Sequence, residues 1–176
     1  MIRSFITVLC IFFSCCAATA QNNYPIPEKT PNQLFYIQHS NNHNTYVYDY
    51  NSKNGVIDPK NPIHEYRISY TEGGERQELS TIQRKMAYGM TLLNTTPNIL
   101  TFRLAATDKV LLYLERNKNG KPKVYVTLND CKIYLDKMFV QLKEGLFKTN
   151  IEVDYILFYG SGTNNKEQII ERLEID

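Results

Sequence analysis

Between Leu100 and Leu142 the chain falls into short apolar-rich runs separated by tight-turn dipeptides. The runs are Leu100–Ala105, Val110–Arg116, Lys123–Leu128 and Cys131–Leu142, with Asn119-Gly120 and Asn129-Asp130 between the later ones. Asn-Gly and Asn-Asp tolerate the positive φ angles that a two-residue hairpin loop demands. Runs so closely spaced have no room for crossover helices, so each must pair with the next as an antiparallel meander. A chain carrying this series is committed to a β-fold.

The remainder of the sequence agrees with that commitment. Leu34–His39 and Thr45–Tyr50 flank the polar link Ser40–Asn44 as a hairpin would, and Ile63–Tyr70 alternates apolar and polar as a half-buried strand does. Ile151–Tyr159 reads as a last strong strand, Gly160–Asn165 as a loop, and Lys166–Ile175 as a closing strand or short helix. The 13 tyrosines and 8 phenylalanines, with no tryptophan, suit pleated surfaces. The expected fold is mainly β: an antiparallel barrel or two-sheet sandwich of about nine short strands with one short helix. At 176 residues, 43% hydrophobic, the chain suits one domain, expected over residues 34–176.

The one helix is read at Leu79–Gly89. Ser80 or Thr81 can cap its first turn, and Gly89 stands where a helix commonly exits in the left-handed conformation. At about 100° per residue, Leu79, Ile82 and Met86 share one side, while Thr81, Arg84, Lys85 and Tyr88 share the other. The second side either meets solvent, packs on the sheet, or lines a pocket in which Arg84 grips an anionic group and Tyr88 stacks or donates a hydrogen bond. The stretch from Met90 through Pro97 reads as a polar loop.

The N-terminus has the layout of an export signal. Arg3 precedes the apolar run Phe5–Phe13, which is too short to span a membrane, and Ala18-Thr19-Ala20 supplies the small-x-small pattern of a cleavage site before Gln21. Residues 1–20 are therefore expected to be a signal peptide. Cys15 and Cys16 follow the apolar run, yet Phe12-Phe13-Ser14 fits a lipobox poorly, so cleavage is preferred to lipidation. The mature chain is expected to be periplasmic or extracellular, without a transmembrane segment. Gln21–Gln33, with Pro25, Pro27 and Pro31, reads as an extended N-terminal arm. Loss of the leader leaves Cys131 as the one cysteine, which excludes an internal disulfide. It also lowers the formal charge from +2 to about +1, which argues against nucleic acid as a partner.

Candidate chemistry is sparse. His39 and His43 stand four apart, with His64 a conceivable third ligand, but nothing in the spacing makes them converge, so no metal or other cofactor is expected. Glu75, Arg76 and Glu78 read as a solvated helix entry. Gly160-Ser161-Gly162 lacks the Gly-x-Ser-x-Gly spacing of a nucleophile elbow and the Gly-Lys-Ser/Thr ending of a phosphate loop, and reads as a turn.

Several stretches together resemble a known family. Leu34-Phe35-Tyr36-Ile37-Gln38, Ser40-Asn41-x-x-Asn44-Thr45-x-Val47-Tyr48, Pro62-Ile63, Leu79-Ser80-x-Ile82-x-Arg84-Lys85-x-Ala87-Tyr88-Gly89 and Tyr155-Ile156-x-x-Tyr159-Gly160 are similar to the DUF4833 family of secreted or envelope proteins, common in Bacteroidetes. The likeness runs from about Leu34 to Leu173. It departs from the family's usual pattern at His39, Tyr66 and Gln83, where arginine, tryptophan and an acidic residue are usual. The resemblance implies class and location, and it assigns no catalytic residue.

The expected function is a secreted or periplasmic, non-enzymatic β-domain binding a small molecule, peptide or glycan. Arg84, Lys85, Tyr88 and Thr81 are placed near the ligand, with strand tyrosines such as Tyr66 around it. The alternatives are an envelope hydrolase using Glu75, Glu78 and His64, and a structural or interaction domain offering strand edges to a partner.

Overall fold

The computed structural model describes residues 24–54, 56–116, 120–143, 152–164 and 167–175. The leader expected over residues 1–20 lies outside the described residues, as do Gly55, Asn119 and Ile151 of the expected turns and strands. β1 (Gln33–His39) and β2 (Asn42–Tyr50) form the anticipated hairpin. A two-residue ribbon, β3 (Ser52–Lys53) and β4 (Val56–Ile57), turns at Asn54 with φ 53°. β5 (Ile63–Ser69) returns antiparallel to β2. A 3-10 turn at Tyr70–Glu72 and a glycine pair then lead to β6 (Glu75–Glu78), which pairs with Tyr66–Ser69 of β5.

Helix α1 (Thr81–Gln83) runs directly into a π turn at Arg84–Tyr88, and β7 (Met90–Thr95) follows. The meander is present as β8 (Ile99–Leu104), β9 (Leu111–Arg116), β10 (Pro122–Leu128) and β11 (Cys131–Leu142). Asn129 and Asp130 carry φ of 48° and 61°, so the β10–β11 loop is the two-residue turn their side chains permit. β12 (Val153–Ser161) and β13 (Gln168–Glu174) complete the order.

β11 organises the sheet. Its first residues pair with β10, Tyr36–His39 of β1 lie parallel to Lys137–Val140 further along, and β12 takes the opposite edge. The strand path is therefore β6-β5-β2-β1-β11-β10-β9-β8-β7, with β12 and β13 branching from β11. Nine strands laid flat at about 4.8 Å spacing would hold β6 and β7 roughly 38 Å apart. Those two strands are joined by residues 79–89, mostly wound into a helix that rises about 1.5 Å per residue. The sheet must curl to bring its ends together, and it does so as a mainly β half-barrel with one short helix.

Alternation divides the side chains between two faces. Phe35, Ile37, Tyr46, Tyr48, Leu112, Leu114, Val126, Ile133, Met138 and Phe158 fill the concave core, where Phe35 and Tyr48 stack with centroids 4.5 Å apart. On the convex face the N-terminal arm lies across β1, β2 and β11. Tyr24 packs edge-on against Phe139, the buried Gln38 donates from Nε2 to the Pro25 carbonyl at 2.7 Å, and Thr30 donates to Asp49 at 3.1 Å. Cys131 is half-buried against the core and unbridged.

Four local readings change. Met90–Thr95 is a strand rather than a loop, because it pairs with β8 from Leu104 to Leu100. Glu75–Glu78 is a strand rather than a solvated helix entry. Gly160 and Ser161 belong to β12, and a Cβ at Gly160 would stand 1.9 Å from the Tyr134 carbonyl oxygen, so that glycine permits close strand approach. Gly89 is extended, with φ −69° and ψ 152°, and not left-handed.

Candidate binding cleft at the sheet seam

The helical turn between β6 and β7 is held at both ends by its own sequence. Ser80 Oγ accepts from the Gln83 N–H at 3.2 Å, while the Gln83 side chain accepts from the Ser80 N–H at 3.0 Å, a reciprocal cap. At the other end the Gly89 N–H donates to the Arg84 carbonyl at 3.1 Å, an i to i+5 bond that widens the last turn. A Cβ at Gly89 would sit 2.2 Å from that carbonyl oxygen, so glycine is required for space.

This widened turn faces the protein with the side opposite to the one its amphipathic pattern suggests. Ile82 and Met86 are exposed, at 75% and 73%, and of the apolar set Leu79 alone is buried. Arg84 and Tyr88 turn inward instead. Arg84 donates to Glu65 Oε2 at 2.8 Å, and the second carboxylate oxygen accepts from the Met90 N–H at 3.1 Å. Tyr88 stacks on Tyr46 with centroids 3.4 Å apart and hydrogen-bonds it, and its ring meets His39 edge-on at 5.4 Å. The Tyr48 hydroxyl donates to the Tyr88 carbonyl at 2.8 Å. Burial, then the Tyr46 hydroxyl beside it, pushes the Tyr88 phenol far above its ordinary range. Turned the other way, the helix would leave the buried Glu65 carboxylate without its cation and unstack Tyr88 from Tyr46.

The proposed ligand residues are thus not brought together. Arg84 and Tyr88 lie behind the turn, Thr81 and Lys85 are exposed on its outer side, and Tyr66 is buried on the convex face under Arg76, 3.6 Å above its ring. Near Tyr66 stands a polar group that includes two of the three residues named for the hydrolase alternative, His64 and Glu78. His64 Nε2 lies 2.9 Å from Glu78, and Arg76 reaches His64 Nδ1 at 3.2 Å. The side-chain bond to His64, with the cation neighbours Arg76 and Arg84, holds Glu78 below the usual carboxylate range. Glu75 projects to the other side of β6 by strand alternation. Among the described residues no three His, Cys, Asp or Glu side chains gather as a metal-binding group.

A cleft runs along the seam. β6 covers β5 only from Tyr66 onward, so Ile63–Glu65 face β7 across a gap bridged by the Glu65 side chain. The gap is a cavity of about 420 Å³ floored by Ile63, Leu92 and Phe102, with Lys60 and Arg84 at its rim. A second cavity of about 260 Å³ follows along the same walls, between Val56–Pro59 and the β7–β8 turn. Glu65 is the seam residue the sequence reading missed. Its only signal was a lone acidic residue on the inward side of an alternating strand, beside Pro62-Ile63.

No curated protein and no solved structure matches the chain. A family model described as a domain of unknown function matches residues 35–172, spanning the curled sheet, the helical turn and the cleft, and the chain therefore belongs to the DUF4833 family.

Proposed function

We propose that the chain is an exported, non-enzymatic binding domain that takes an extended peptide along the cleft between β5 and β7. The observation that carries this reading is the pair of uncovered strand edges facing one another across the 420 Å³ gap, with one side chain spanning it. An extended segment laid there would find backbone donors and acceptors on both walls and apolar seats at Ile63, Leu92 and Phe102, the chemistry of strand addition. Filling the gap would carry the half-barrel toward a closed barrel and remove two edges. Export rests on the Met1–Ala20 leader pattern.

A hydrolase built on His64 and Glu78 is less favoured. Both imidazole nitrogens are engaged, one on Glu78 and the other on Arg76, so neither is free to take a proton from a nucleophile.

Selection from a random octapeptide library, followed by amide exchange of the complex, tests the peptide reading. The expected result is enrichment of peptides alternating apolar and polar residues, with slowed exchange at Met90–Thr95. A selection that yields no binder, or binders that leave β7 exchange unchanged, overturns it. N-terminal sequencing of the secreted form tests export, with Gln21 as the expected first residue.

A further inference from the structure

Behind the helical turn, inside the half-barrel and separate from the cleft, lies a cavity of about 110 Å³. Its walls are the aliphatic side chains of Leu104, Met138, Val140 and Ile156, closed above by Tyr88. His39 also lines it, and the His39 Nε2 is buried with no hydrogen-bond partner among the described residues. Every other buried polar group of this region is matched: Tyr48 to the Tyr88 carbonyl, Tyr46 to Tyr88, and Glu65 to Arg84 and Met90. A buried polar atom left unpaired costs about 1–3 kcal/mol, so one held next to an empty space calls for an explanation.

An ordered water is a poor occupant, because it needs two to four polar partners and, His39 aside, the polar side chains of the lining are Thr107 and Tyr88, already engaged by the Lys109 N–H and by Tyr46. Apolar cavities of about 150 Å³ take benzene, so this one, about 40 Å³ smaller but open at a mouth beside the exposed Ala106, takes a ring only with part of it left in that mouth. Burial holds the His39 imidazole neutral, its pKa lowered to about 4, and a neutral wall gives an anion no return for its lost hydration. A hydroxyl is the group that satisfies Nε2 in either tautomer, since it both donates and accepts.

We propose that this cavity binds a small neutral molecule with an apolar body and one hydroxyl, of phenol size, the hydroxyl pairing with His39 Nε2. The site is independent of the peptide cleft and stands or falls apart from it. Tyr88 forms its roof, so the helical turn sets access to the interior, and the same turn carries the Arg84–Glu65 clasp on its other side.

Calorimetric titration of the full chain with phenol and with toluene tests the proposal. The two probes share shape and differ in the hydroxyl. Both are expected to bind one to one, phenol about 5- to 10-fold tighter, which is the worth of one buried neutral hydrogen bond. In His39→Leu the phenol preference is expected to vanish while toluene still binds, and in Ala106→Leu, which fills the cavity mouth, both are expected to weaken. For wild-type protein, nitrogen NMR of the imidazole supplies a readout that needs no variant: phenol is expected to move the His39 Nε2 resonance and toluene to leave it in place. The proposal is overturned if neither probe saturates, if His39→Leu keeps the phenol preference, or if phenol leaves the Nε2 resonance unmoved.

Discussion

Arg84 and Glu65 meet at 2.8 Å across the seam of the curled sheet, nineteen residues apart in sequence, with the glutamate buried and the arginine half exposed. The pair ties the helical turn to β5, and the same carboxylate receives the first N–H of β7. One side chain thus fixes three elements: the turn, the strand before it in space, and the strand after it in sequence.

Removing either partner is therefore expected to destabilise the fold unequally. Arg84→Ala leaves Glu65 one donor at Met90, and Arg84 is 44% exposed, so solvent softens the loss to about 1–3 kcal/mol. Glu65→Ala removes both bonds and strands the Met90 N–H, at a cost of about 3–5 kcal/mol. The double variant is expected to fall short of the sum by about 1–2 kcal/mol, read as a coupling energy in urea unfolding midpoints. Additive losses would mean that the two groups do not share their energy.

Gly89 and Gly73 separate two reasons for glycine. Gly89→Ala forces a methyl to 2.2 Å from a backbone oxygen in an ordinary extended conformation, so the π turn must break, at a cost of about 3 kcal/mol or more. Gly73→Ala meets nothing within 4 Å but must hold φ 88°, at a cost of about 1–2 kcal/mol. Thermal unfolding of the two variants is expected to rank them in that order.

The exposed apolar pair on the turn gives the opposite expectation. Ile82→Lys and Met86→Lys are expected to change stability by no more than about 0.5 kcal/mol each, because neither side chain packs on the core. A loss above about 2 kcal/mol in denaturant titration would show that these residues are covered in solution.

That result bears on how much of the molecule can be read from its residues. The meander was legible because Asn129-Asp130 encodes its turn chemistry locally and the flanking runs alternate. β6 and β7 were not, since Glu75–Glu78 and Thr91–Thr95 are polar or exposed edge strands with little apolar alternation to mark them. The helix stands within two residues of its expected place, and of the orientations its sequence leaves open for the Arg84–Tyr88 side the structure takes packing against the sheet. Its orientation depends on Glu65 and Tyr46, contributed by distant strands, and an amphipathic pattern contains no information about a carboxylate waiting elsewhere. Arg84 and Tyr88 were singled out as contact-making residues, yet the structure gives their principal contacts to partners inside the chain.

Tyr48→Phe isolates one of those internal contacts. The substitution keeps the ring stacked on Phe35 and removes the hydroxyl that bonds the Tyr88 carbonyl at 2.8 Å. The carbonyl is left without that donor, and a loss of about 1–2 kcal/mol is expected. The loosened turn is expected to raise amide exchange at Gly89 and Met90 before the rest of β7. Uniform exchange changes across the sheet would place the effect in the core instead.

The acid sensitivity of the fold is expected to carry the signature of His39. Burial lowers its pKa to about 4 in the folded protein, against about 6.5 when the chain is unfolded. Between those values the unfolded chain binds a proton that the folded one refuses, so stability from this group is fully present above about pH 6.5 and falls as the pH drops toward 4. At about 1.4 kcal/mol per unit the total reaches roughly 3 kcal/mol. Glu78 and Glu72, both lowered by hydrogen bonds, add losses of the same sign, but only below the ordinary carboxylate range. Asp49, raised by burial, acts in the opposite sense and above its ordinary value, so it offsets part of the His39 slope. The His39 share of the window from pH 6.5 to 4.5 is read as the difference between the wild type and His39→Leu, in which Asp49 is common to both. Unfolding free energies measured across it are expected to slope in the wild type and to flatten in His39→Leu; equal slopes in the two proteins would place the titrating group elsewhere.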